Sequence, residues 1–161
     1  MANYPLAPML RVRYLHEEQA KRDVQTAERH LQKTQDQLQQ AKDALKEYQI
    51  WRPSEEERRY AQILGQQISQ EKLAKFREEL GQLAQEELRL QGVVHEAEKT
   101  VNQAQEQVEK ARKEVILARR ACLKLEEHRD IWQAAQNREQ ERLSDLEMEE
   151  ARSPTFESDE S

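Results

Sequence analysis

The chain has 161 residues, of which 36% are hydrophobic, 5% aromatic and 36% charged, with 3 glycines and 4 prolines. A compact enzyme-like globule needs a turn about every dozen residues, and so few turn formers cannot supply them. Mean hydropathy is −1.12, and no stretch approaches the roughly 18 uncharged apolar residues of a membrane span. What remains is extended helix in a soluble protein.

Net charge is −6, and residues 144 to 161 account for all of it, with seven acidic side chains against Arg152. The other 143 residues balance. A chain with alternating signs and no basic face offers a polyphosphate no counterion release, which argues against nucleic acid, and a membrane-surface helix would be basic on its polar face.

The N-terminal MANYPLAPML lacks the basic cap of a secretory signal and leads directly into Arg11 and Arg13, so the mature N-terminus is expected to be functional. Its apolar side chains lie between Pro5 and Pro8, either as a helix start or as a docking segment. A first helix is predicted over about 8–49. Steps of three and four from Ala20 reach Val24, Ala27, Leu31, Thr34, Leu38, Ala41, Leu45 and Tyr48, so eight of nine positions are apolar. Pro53 removes a donor and disfavours helix at Arg52, which predicts an end near Gln49 to Trp51. Ser54 and Glu57 form a capping-box pattern that would restart a short helix within a bend over about 50–69. Ser69 is placed to cap a second long helix over about 70–150.

In that helix the same steps from Leu73 run through Phe76, Leu80, Leu83, Leu90, Val94 and Ala97 to Cys122, Leu125, Arg129, Trp132, Leu143 and Leu146, and eighteen of twenty-two positions are apolar. A 3.5-residue repeat held this long predicts a left-handed coiled coil. At 1.5 Å per residue the second helix would be about 120 Å long. The predicted fold is all-α, a long antiparallel two-helix coiled-coil hairpin with a short helix at the bend. Large residues would then meet small ones, Leu31 facing Ala111, Leu38 Ala104 and Leu45 Ala97, and the same register would bring Leu10 opposite Trp132, with shifts of seven residues as alternatives. Residues 153–161 have the composition of a disordered acidic tail.

No catalytic, cofactor or metal pattern is predicted. His16, His30, His95 and His128 never lie at i, i+4 from one another, and the three glycines stand alone. Cys122 falls on the seam, where it reads as a small core residue, and a single cysteine agrees with a reducing compartment. Three places depart from the repeat: the N-terminal proline cluster; YQIWRPSEEERRY at 48–60, whose aromatics at a bend suggest a contact surface; and HRDIWQ at 128–133, where packing and partner contact are equally open.

YPLAPML, the YxxWRxxEEERxY pattern at 48–60 and HxxxW at 128–132 together resemble the YscO (SctO) family of type III secretion proteins, which is similar to flagellar FliJ. The resemblance implies a non-catalytic central stalk in the pore of the hexameric secretion ATPase, reaching the cytosolic domain of the export gate and in some members binding secretion chaperones, in the bacterial cytoplasm at the cytosolic face of the apparatus. It implies no cofactor, no nucleic acid and no membrane insertion. Pro5, Leu6, Leu10, Arg11, Arg13, His128, Arg129 and Trp132 would face the ATPase, and Tyr48, Trp51, Arg52, Glu55, Glu56, Glu57 and Tyr60 would meet the gate or chaperones. The alternative is a generic coiled-coil scaffold that dimerises in parallel.

Overall fold

The computed structural model describes residues 2–152. The tail expected at 153–161 lies outside them. Two long helices make up the fold, α1 (Ala7–Ile63) and α2 (Gln70–Arg152). Their bodies are rich in Ala, Leu, Gln, Glu, Lys and Arg, the strongest helix formers. Pro8 falls in the first turn of α1, where a missing N–H costs little.

The helix break expected at Pro53 is not there. α1 runs through that proline to Ile63, so no separate short helix exists and Ser54 has no helix start to cap. Proline removes the one bond to the carbonyl of Gln49, and both residues are exposed, where water can serve instead. On either side of the proline α1 is tied to α2: Tyr48 donates to the carbonyl of Leu83 at 2.6 Å, Arg52 pairs with Glu87, and Arg59 pairs with Glu79 at 3.8 Å. The helix instead ends at Ile63, two residues before Gly65, whose φ of +81° is the left-handed conformation that suits glycine after a C-terminus. The α2 helix begins where Ser69 Oγ accepts from the Lys72 amide at 3.3 Å, with Glu71 placed favourably in the first turn.

The chain divides into two compact units. One is Asp23–Ala111 and carries the bend between the helices. In it the buried or half-buried apolar positions include Val24, Ala27, Leu31, Leu38, Ala41 and Leu45 of α1 and Leu83, Leu90, Val94, Ala97, Val101, Ala104 and Val108 of α2. Thr34 is buried too, and its hydroxyl donates back to the carbonyl of Leu31 at 2.8 Å, so no polar atom is stranded in the seam. Leu31, Leu38 and Leu45 are only half-buried, because two helices alone cannot wrap a large side chain on all sides.

The other unit joins the residues up to Arg22 to those from Arg112 onward and carries both termini. Leu10, Glu17 and Ala20 are buried on α1, and Cys122 on α2 is fully buried. In both units the contacts run in opposite directions along the two helices.

The pairing differs from the one expected. Tyr4, not Leu10, stacks on Trp132; Glu17 meets Arg119; Tyr60 meets Phe76. Each pair is displaced six residues along α2, which is close to the alternative shifted by one heptad. The seam of α2 consequently ends at Gln136, its last half-buried position, and Leu143 and Leu146, expected as core, are 48% and 42% exposed. Leu73 is also exposed, at the opening of α2.

Candidate partner surfaces

In the bend-bearing unit, the expected contact residues divide into two sets. Tyr48 and Arg52 hold the helices together, and Glu55 orders two arginines of its own helix. Tyr48 is half-buried, and burial with nearby carboxylates pushes its phenol up. The Arg52 Nε donates to Glu56 at 2.7 Å while the same guanidinium reaches Glu87 on α2. Glu55 is buried and accepts from Arg58 Nη2 at 2.6 Å and from Arg59 Nε at 2.9 Å. Those guanidinium bonds, Arg58 first, hold the Glu55 carboxyl down at about 2.

Trp51, Glu57 and Tyr60 face outward. Trp51 is 45% exposed and packs its ring 5.5 Å from that of Tyr48. Tyr60 is 55% exposed and lies 6.3 Å from Phe76. Glu57 is exposed and Glu56 half-buried. Phe76 and Leu80, which sequence reasoning treated as seam positions only, line a groove with Pro53, Glu56, Glu57 and Tyr60.

In the terminus-bearing unit, Leu10 and Trp132 serve packing, Leu6 and Arg129 are half-buried, and Pro5, Arg11, Arg13 and His128 are exposed. Tyr4, missed from the sequence, ties the ends together: its hydroxyl and His128 Nδ1 are 2.6 Å apart, and its ring lies 5.6 Å from that of Trp132. Tyr14 donates to Glu126 Oε1 at 2.6 Å, and that bond raises its phenol. Glu17 sits in the seam with Arg119 Nη1 at 3.3 Å and Lys21 Nζ at 3.6 Å. Burial works against its charge, but the Cys122 thiol and the two cations outweigh it, so the carboxyl is held below its ordinary value.

The same unit carries Val12 and Leu15 on α1 and Ile116, Leu123 and Ile131 on α2, each 41–70% exposed and none in phase with the seam. Their signal was legible as apolar residues off the heptad. Among the described residues, no group of three His, Cys, Asp or Glu side chains could hold a metal ion, and no helix is long and apolar enough to cross a membrane.

The described residues define an all-helical protein in which two long helices pack together. The family model of the type III secretion protein YscO matches residues 6–154, and the chain belongs to that family. Type III secretion protein YscO from Vibrio parahaemolyticus, a crystal structure, is 27% identical with a TM-score of 0.86, over 90% of this chain and 91% of that one. A putative YscO homolog from Chlamydia trachomatis is 20% identical with a TM-score of 0.75, over 94% and 93%, and shares the fold. None of the curated proteins matches the chain in sequence.

Proposed function

We propose that this YscO family protein is the non-catalytic central stalk of a type III secretion ATPase complex, a two-helix coiled-coil hairpin in the bacterial cytoplasm at the face of the apparatus. The terminus-bearing unit stands in the pore of the ATPase hexamer. The bend meets the cytosolic domain of the export gate, and secretion chaperones dock there as well.

One observation carries the reading. Between residues 16 and 49 on α1, and between 94 and 115 on α2, every large apolar side chain lies in the seam and is buried or half-buried. Outward-facing ones are confined to Met9–Leu15 and Ile116–Ile131 in the terminus-bearing unit, to Ile50–Leu64 with Leu73, Leu88 and Val93 near the bend, and to Leu143–Met148. Apolar side chains that point away from a helix pair's own core are what a surface covered by partners carries. In each helix a stretch polar on its outward side separates two such regions along the sequence, which suits a protein with two different partners. A scaffold pairing in parallel between chains would need the seam residues that are already covered within one chain.

Capture of the secretion ATPase by the purified chain tests the proposal. Replacement of Val12, Leu15 and Ile131 by Ser is expected to abolish capture, and Trp51→Ala to leave it intact. Capture unaffected by the triple substitution would overturn the assignment of the terminus-bearing unit.

A further inference from the structure

The groove beside the helical proline has a chemistry of its own. Its volume is about 460 Å³, and it is lined by Pro53, Glu56, Glu57, Tyr60, Phe76 and Leu80. The apolar part is aromatic, with Tyr60 and Phe76 tilted at 47° to each other. The only charged groups on it are the two carboxylates. Glu56 is engaged by Arg52, whereas Glu57 makes no ion pair among the described residues. Apolar surface, two aromatic faces and the carboxylate of Glu57 therefore share one depression whose lining carries no cation.

The charge is local to this side. A neighbouring depression shares Phe76 but is lined by Arg59, Lys72 and Lys75 together with Glu79. Lysine and arginine rims repel a basic ligand that the glutamate rim attracts, so the two depressions select opposite partners.

We propose that the groove at Pro53, Tyr60 and Phe76 is a docking site for a short partner segment in which arginine or lysine flanks a leucine or aromatic side chain. The apolar side chain lies against Phe76 and Leu80, and the cation pairs with Glu57 and stacks on Tyr60. This rests on the reading of the bend as a partner surface and names the chemistry of what it takes. It does not involve the ATPase, so loss of capture in the experiment above leaves it standing, and its own failure leaves the stalk standing.

The test is amide chemical-shift mapping on the ¹⁵N-labelled full chain, titrated with acetyl-Leu-Arg-Phe-Leu-Arg-amide and with the same peptide carrying Gln or Glu in place of Arg. The arginine peptide is expected to shift amides of residues 53–60 and 76–80, binding about threefold or more tightly than the glutamine peptide at low salt. In the Glu56→Gln, Glu57→Gln variant that preference is expected to vanish. Because Phe76→Ala could disturb the bend, Glu57→Gln alone serves as the mild variant and is expected to reduce the preference. Equal binding of the arginine and glutamine peptides, preference for the glutamate peptide, shifts confined to the surroundings of Trp51, or no shifts at all would each overturn the proposal.

Discussion

The carboxylate of Glu17 and the thiol of Cys122 are neighbours inside the seam of the terminus-bearing unit, one reaching in from α1 and the other from α2, and the thiol helps to keep the carboxylate charged. Cys122 is 0% exposed, and burial together with the neighbouring carboxylate pushes its thiol up. A raised, buried thiol reacts only when the helices part. Modification by Ellman's reagent is therefore expected to be at least about a hundredfold slower in the native chain than in urea. Glu17→Gln, which leaves Arg119 and Lys21 without their carboxylate, is expected to cost about 1 kcal/mol and to speed the reaction. The release of thionitrobenzoate reads both effects.

Glu55 supplies a pH dependence at the bend. Its carboxyl titrates near 2 when folded, well below the ordinary glutamate value, so the stabilisation it gives is present above about pH 4.5 and disappears as pH falls toward 2. Arg58 is largely exposed, so solvent screens part of the effect. Fluorescence of Trp51, four residues away, is expected to change across this acid range in the wild-type chain and to be flat in Glu55→Gln.

Pro53 is an internal proline that the helix tolerates at a cost. Restoring the donor to Gln49 with Pro53→Ala is expected to raise stability by up to about 3 kcal/mol, seen as a higher urea midpoint and as a slowly exchanging amide at residue 53. The same substitution removes one wall of the acidic groove.

Leu38 represents the seam of the bend-bearing unit, where it lies half-buried. Leu38→Asp places an unpaired carboxylate there and is expected to cost about 3 kcal/mol or more. A far-ultraviolet dichroism melt follows the loss of helix.

How much of this was legible in the sequence varied with the kind of force involved. The seam from Ala20 to Tyr48 and from Phe76 to Trp132 was readable because burial repeats every three and four residues over a long distance. Pro53 was misread as a terminator because local rules count the lost donor and cannot count the ties from Tyr48, Arg52 and Arg59 to α2 that keep the helix in place. Pairing was left to a choice among heptads, and Tyr4, whose ring and hydroxyl fix it against Trp132 and His128, is not itself in the repeat. Leu143 and Leu146 looked like core because they keep the phase, yet whether a partner strand stands opposite depends on that pairing. The expected contact residues of the bend likewise mixed ties such as Arg52 with outward groups such as Trp51, a distinction set by which way each faces.

Native mass spectrometry of the chain reconstituted with a type III secretion ATPase tests the proposed stalk most directly. One copy of the 19.1 kDa chain per ATPase hexamer is the expected result, because a single pore admits a single helix pair. One copy per ATPase subunit, or two copies bound as a parallel pair, would contradict it.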